Sequence, residues 1–171
     1  MSERTILQHQ VCFSLYAASR AATAVYRPML QELGLTYPQY LVMLLLWERD
    51  GVSVRELGEE LELDSGTLSP LLKRIESAGL LERRREPDDE RRVAVHLTAS
   101  GGSLRQQAAA VPAHIAAAAG LTPAELNQLN HTLAKVTGAL HAAAGGIAVS
   151  SPAGNDAAGS SPGTAGTPSN H

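Results

Sequence analysis

The chain has 171 residues, enough for one domain with a core of its own, and it is 44% hydrophobic but only 4% aromatic. No apolar run approaches the roughly 20 residues that a membrane span needs, and the start, MSERTILQHQ, lacks a signal-peptide pattern. The net charge of −3 rules out any argument from overall basicity, and a single cysteine rules out an intramolecular disulfide, as expected of a chain in a reducing cytoplasm.

Residues 5–33 predict a long helix, with Leu7, Val11, Leu15, Ala22, Tyr26, Leu30 and Leu33 at helical spacing. Pro28 is expected to interrupt or bend it, and Gly34 to stop it. Thr36-Tyr37-Pro38-Gln39 opens the next helix: Thr36 caps it, Gln39 completes a capping box, and proline is tolerated in the first turn. Leu41 to Trp47 is apolar almost all round, so this helix should be buried on most sides, and Asp50-Gly51 ends it.

Ser53-Val54-Arg55-Glu56 is a second capping box, starting a short helix over 54–61 with Leu57 and Leu61 inward. Leu63-Asp64-Ser65-Gly66 is the turn, with Asp64 as N-cap of a helix running to about Ala78. Leu68, Leu71, Leu72 and Ile75 form its core stripe, and Gly79 stops it. Two short helices joined by a tight turn form a helix-turn-helix pattern. Pro70 removes a hydrogen bond, so the second helix is expected either to bend or to start irregularly.

Leu80–Glu86 and Arg92–Leu97 predict strands, the second alternating Val93, Val95 and Leu97 with Ala94 and His96. Pro87-Asp88-Asp89-Glu90 is the hairpin tip. Thr98 caps an alanine-rich helix over about 99–118. Thr122-Pro123-Ala124-Glu125 starts a last helix to about 144, with Leu126, Leu129, Leu133, Val136 and Leu140 on one stripe. From Gly145 to His171 the chain is rich in Gly, Ser, Pro and Ala and is expected to be a disordered tail.

The expected fold class is therefore mainly α with a small β wing: a winged helix-turn-helix over 36–98, flanked by helices at 5–33 and 99–144, in one domain spanning 1–144. Ala- and Leu-rich flanking helices need a partner for their stripes. The simplest solution is a homodimer, which would set two recognition helices about 34 Å apart on a palindromic double-stranded DNA site.

Charge is uneven. Lys73, Arg74, Arg83, Arg84, Arg85, Arg91 and Arg92 fall close together, interleaved with Glu82, Glu86, Asp88, Asp89 and Glu90, so charge alone makes a weak case for DNA. Position makes a better one. Ser65, Thr67 and Ser69 sit in the first turns of the second helix, where side chains reach base edges; the plain alternative is that they are only caps. Lys73 and Arg74 are placed to reach phosphates. Arg83, Arg84 and Arg85 alternate in direction, so some, Arg84 among them, are expected on phosphates and the rest on Glu82 and Glu86.

Several stretches together resemble the MarR family of winged-helix repressors: Leu61-Glu62-Leu63-Asp64-Ser65-Gly66-Thr67-Leu68, Lys73-Arg74-Ile75-Glu76-Ser77-Ala78-Gly79-Leu80, and the wing Asp88-Asp89-Glu90-Arg91-Arg92-Val93 leading to Leu97-Thr98. Val11-Cys12-Phe13-Ser14-Leu15-Tyr16, Thr36-Tyr37-Pro38-Gln39-Tyr40-Leu41 and Leu45-Leu46-Trp47-Glu48 are similar to its organic-hydroperoxide-sensing branch, OhrR. The resemblance spans about 7–142.

A lone cysteine in a helical protein is ordinarily a buried small hydrophobe. The resemblance instead implies that Cys12 is a redox sensor, with Tyr26 and Tyr37 of the partner subunit and Tyr16 as hydrogen-bond donors to its thiolate, and with Tyr40 in the core. It further implies that Asp89 aims Arg91 into the minor groove, and that Asp64 belongs to the DNA-facing set. With no second cysteine, the chain matches the one-cysteine branch, in which a low-molecular-weight thiol caps the oxidised sulfur. The competing reading is a family member released by a small phenolic ligand without redox chemistry. A thiol peroxidase is disfavoured, because no resolving cysteine and no catalytic histidine or carboxylate stands beside Cys12. No cofactor is expected, and no metal, since His9 and Cys12 supply too few ligands for zinc.

Overall fold

The structure is a computed structural model. It describes residues 6–86 and 89–148, with side chains at all of these except 8, 86, 89–91 and 145–148. Two compact units divide the chain, 1–123 and 124–171.

The first unit is built around α2 (Tyr37–Glu48). Gln39 Oε1 accepts the Thr36 N–H at 2.7 Å, and Pro38 fills a first-turn position whose N–H has no helical partner in any case. Tyr40, Val42, Met43, Leu46 and Trp47 are all buried, so α2 buries more than one face, as its unbroken apolar run predicts. Packed with it are Leu30 of α1 (Val11–Glu32), Leu57 of α3 (Val54–Leu61), Leu68, Leu72 and Ile75 of α4 (Ser65–Ser77), and Leu104 and Ala108 of α5 (Ala99–Ala108). Each fully buried Leu or Ile contributes about 1.5–3 kcal/mol through the hydrophobic effect.

A three-stranded antiparallel sheet closes one side, in the order β1 (Val52–Ser53), β3 (Asp89–Leu97), β2 (Leu81–Glu86). The strand β1 is too short to read from sequence; it exists because Val52 pairs with Val95 and Ser53 with Ala94. The hairpin pairs Leu81 with Leu97 through Arg85 with Val93, then slips so that Glu86 faces Asp89. Asp89 and Glu90, expected in the tip, thus belong to β3, and only Pro87 and Asp88 of that tip lie outside the described residues.

Other boundaries also differ from expectation. The first helix begins at Val11, because Gln10 is extended and residues Ile6–His9 form a separate 3-10 turn. Pro28 does not end it; α1 runs on to Glu32. The helix expected over 99–118 is two, α5 and α6 (Val111–Ala119). Pro112 supplies no N–H to the carbonyl of Ala108 and crowds it, so the ladder stops and restarts one residue before the proline. The turn before α4 starts one residue earlier than expected, at Glu62, which takes the left-handed conformation, with Glu62 N–H on Glu59 and Leu63 N–H on Gly58 closing α3.

In the second unit, α7 (Pro123–Ala148) continues past the expected end near 144. Its stripe includes Leu129 and Leu140, which are 43% and 54% exposed. Residues 149–171 of the expected tail lie outside the described residues.

Candidate functional site

The helix α4 is a helix that begins on a side-chain cap. Asp64 Oδ1 accepts the Thr67 N–H at 3.0 Å, and Asp64 Oδ2 accepts the Thr67 hydroxyl at 2.9 Å. These bonds, the hydroxyl first and the amide second, hold the Asp64 carboxyl below its ordinary range, so it is a full anion at neutral pH. Thr67 therefore spends its proton on the cap and faces outward as an acceptor. Ser65 and Ser69 are exposed, as are Lys73 and Arg74 farther along.

At about 100° per residue, Leu68, Leu72 and Ile75 point one way, and Gly66, Pro70, Lys73 and Ser77 the other. This disposes of the difficulty at Pro70: α4 is continuous through it. The bond Pro70 forfeits would have gone to the carbonyl of Gly66, and both residues are exposed, so water can take that carbonyl. Neighbouring carboxylates on α3 do not spoil the face, since Glu59 is paired with Arg55 at 2.9 Å and Glu60 with Arg49 at 3.6 Å.

An open cleft runs between α3, the start of α4 and the hairpin; Ser65, Ser69, Arg83 and Arg92 line one part of it, and Arg55 with the carboxylates Glu56, Glu59, Glu62 and Asp64 line the rest. The arginines of β2 do not all serve it. Arg83 is bound to Glu76 of α4, whereas the sequence predicts only phosphates, Glu82 or Glu86 as partners. Arg84 is paired with Glu82. Glu76 stands seven positions before Arg83, and nothing in that spacing marks the pair until the hairpin folds back on the helix. Asp89 and Arg91 have their backbone in β3; their side chains lie outside the described ones.

The second cluster is on α1. Cys12 is a free, exposed thiol in the first turn. Tyr16, one turn on, accepts a hydrogen bond from Arg20 Nη1 at 2.9 Å and stacks under the same guanidinium, 5.6 Å from its ring centroid. Its own O–H remains available as a donor. Tyr26 and Tyr37 sit together elsewhere, their ring centroids 4.8 Å apart, with Tyr40 buried behind them at 6.0 Å from Tyr26. Burial, and then Tyr37 and Tyr40, push the Tyr26 hydroxyl above its ordinary range, so it stays protonated and can donate. Positions 12 and 26 lie about 21 Å apart along one straight helix. No side chain spans that gap, so within one chain Cys12 does not meet the Tyr26–Tyr37 pair. Among the described residues no group of histidine, cysteine and carboxylates could hold a metal ion, and no helix is long and apolar enough to cross a membrane.

Comparison with known proteins places this arrangement. Residues 24–107 match the sequence model of the transcriptional regulator SarA/Rot family. The organic hydroperoxide resistance transcriptional regulator of Bacillus subtilis is 45% identical over 135 residues, which is 79% of this chain and 92% of that protein. Among solved structures, AbfR of Staphylococcus epidermidis superposes with a TM-score of 0.64 at 36% identity in its overoxidised, DNA-bound form, covering 78% of this chain and 94% of that one. The reduced, DNA-bound form of AbfR gives 0.63 at 33% identity, covering 79% and 92%. On the strength of that identity over nearly the whole length of its relatives, the chain belongs to the MarR family of winged-helix transcriptional regulators, in the branch that contains the organic hydroperoxide resistance regulator OhrR.

Proposed function

We propose that the chain is a DNA-binding repressor that senses organic hydroperoxides through Cys12 and then releases its operator. One observation carries this reading: an exposed thiol on α1 and, about 21 Å farther along that helix, Tyr26 packed against Tyr37 of α2. A second copy, related by a two-fold axis and packed through the first and last helices, can bring Tyr26 and Tyr37 of one subunit to Cys12 of the other. Exposed Val11, Phe13 and Tyr16 beside Cys12, and exposed Leu129 and Leu140 on α7, supply apolar surface for such packing.

The chemistry then runs in two steps. The Cys12 thiolate attacks the terminal peroxide oxygen; the O–O bond breaks, sulfur is oxidised to sulfenic acid, and the peroxide leaves as an alcohol after taking a proton. A low-molecular-weight thiol then displaces water from sulfur and leaves a mixed disulfide. Sulfenic acid or disulfide no longer accepts hydrogen bonds from the tyrosines as a thiolate does, and the added bulk displaces the helices that carry them. Cys12 alone carries the oxidation, so the step acts as signalling; sustained turnover with excess thiol and peroxide would mark a peroxidase instead.

On the output side, Ser65, Thr67 and Ser69 face base edges, Asp64 holds the start of α4, and Lys73 and Arg74 reach phosphates. Arg91, aimed by Asp89, enters the minor groove. The test is a gel shift on the DNA upstream of its own gene, with and without cumene hydroperoxide. Wild-type protein should release the DNA on oxidation; Cys12→Ser should bind and not release. Release by Cys12→Ser would overturn the redox reading in favour of a ligand-released regulator.

A further inference from the structure

The helix α4 and strand β2 are joined by Ala78, Gly79 and Leu80 alone. Gly79 has φ +73, and no atom lies within 4 Å of where its Cβ would be. Its left-handed backbone lets the chain reverse there from the helix into the hairpin. Most bonds across this junction lie at its base. Leu80 N–H donates to Ile75 O at 3.2 Å, Gly79 N–H to Glu76 O at 2.9 Å, and the Thr98 hydroxyl to Gly79 O at 2.6 Å.

One contact reaches farther. Glu76 Oε1 accepts the backbone N–H of Arg83 at 3.1 Å, while Glu76 Oε2 accepts from Arg83 Nε at 3.1 Å and from Arg83 Nη2 at 2.6 Å. The strand β2 is at the edge of the sheet, so outward N–H groups have no neighbouring strand, and the carboxylate takes the place of one. The side chains are 34% and 32% exposed, less than those of the other arginine–glutamate pairs on this face, and the bidentate geometry fixes direction as well as distance. Arg83 also borders the open cleft beside the start of α4, together with Ser65, Ser69 and Arg92.

We propose that Glu76 is a specificity-determining positioning residue: by gripping both the backbone and the guanidinium of Arg83 across the Gly79 turn, it fixes the wing against α4 and keeps Arg83 off the phosphates. The inference rests on the DNA-binding reading above. Two consequences follow that a mere phosphate-contact role for Arg83 would not produce. Loss of Glu76 misaims the wing, which weakens operator binding. It also frees a cation beside that cleft, which leaves sequence-independent binding unchanged or strengthens it. Discrimination falls because the two affinities converge.

The experiment uses the full chain. Wild-type protein selects a site from a randomised 30-base-pair duplex pool, and binding to that duplex and to a scrambled one is then measured across a salt series for wild type, Glu76→Ala, Glu76→Gln, Arg83→Ala and the Glu76→Ala/Arg83→Ala double variant. Circular dichroism checks that each is folded, and Glu76→Gln, nearly isosteric, serves if Glu76→Ala is not. We expect the ratio of operator to scrambled affinity to fall about tenfold in Glu76→Ala, within the range that loss of one base-reading side chain costs. The scrambled-duplex salt slope should steepen by about 0.9 in that variant, the value for one added phosphate contact, and return to the wild-type slope in the double variant. Arg83→Ala should lower the ratio while leaving scrambled binding at its wild-type level. The inference is overturned if the ratio in both Glu76 variants stays within twofold of wild type, or if Arg83→Ala weakens both duplexes equally. If the wild-type protein selects no site at all, the DNA-binding reading itself fails.

Discussion

The indole Nε1 of Trp47 donates a hydrogen bond of 2.8 Å to the carbonyl of Gly101, joining α2 to the start of α5 across 54 residues. The backbone of Gly101 also lies against that of Leu80: a Cβ at Gly101 would stand 1.9 Å from the Leu80 carbonyl oxygen. Gly101 thus takes the α2 indole on its carbonyl and the α4–β2 connection on its Cα, with no room for a side chain. Gly101→Ala should cost about 1–3 kcal/mol or more, since the backbone must move to make room. Gly102→Ala is the matched control. Nothing lies within 4 Å of its Cβ and the position is exposed, so it should gain up to about 1 kcal/mol of helix propensity. Opposite shifts of the urea midpoint in adjacent residues would confirm the contact; equal shifts would contradict it.

Local rules carried much of the fold. The caps at Thr36, Ser53, Asp64 and Thr98 marked four helix starts, because a capping side chain acts within three residues of itself. What escaped was set at longer range. The strand β1 is two residues long and is defined by its partner Val95. Glu76 and Arg83 meet only after the chain turns back at Gly79. The break before α6 was different in kind: Pro112 was there to be read, and the alanine run around it masked the signal. At the candidate site, resemblance singles out Cys12 and the tyrosines, while the packing of Tyr26 on Tyr37 of α2, far from Cys12, depends on how α2 folds back on α1.

Tyr37→Phe should slow the response without weakening DNA binding. Under the dimer arrangement its hydroxyl is one of the donors to the Cys12 thiolate of the partner subunit, and a hydrogen bond to a charged group contributes about 1.5–3 kcal/mol. The rate of Cys12 oxidation by cumene hydroperoxide should therefore fall about tenfold or more, read by mass spectrometry of quenched samples. Tyr40→Phe, altering a buried neighbour in the same aromatic cluster, should leave that rate near wild type. Equal effects from both variants would point to general loosening of the cluster.

Arg91→Ala should weaken operator binding by about 1–3 kcal/mol and relax discrimination at the base steps under the wing tip. Asp89→Ala should reproduce part of that loss, because an arginine without its carboxylate partner is less firmly aimed. Lys73→Ala, by contrast, should reduce operator and scrambled binding alike and lower the salt slope by about one. Operator affinity unchanged in Arg91→Ala would remove the wing from the binding surface.

Acid should loosen the winged unit before it reaches the rest of the core. The Glu76 carboxyl is held below the ordinary glutamate value of 4.5, chiefly by its side-chain hydrogen bonds from Arg83; burial opposes this next, and the Arg83 backbone N–H and charge lower it further. Glu56 is lowered in the same direction, first by the Ser53 hydroxyl and then by the Ser53 N–H. A carboxyl whose folded pKa is depressed binds fewer protons folded than unfolded. Its stabilisation is fully present well above 4.5 and is lost as pH falls through the lower, folded value. The melting temperature should thus fall as pH drops below about 4.5. Glu76→Gln cannot be protonated, so its melting temperature should lie below wild type at pH 7 and converge towards it in acid. A constant offset between the two across that range would mean that the Glu76–Arg83 bond adds nothing to folding through its charge.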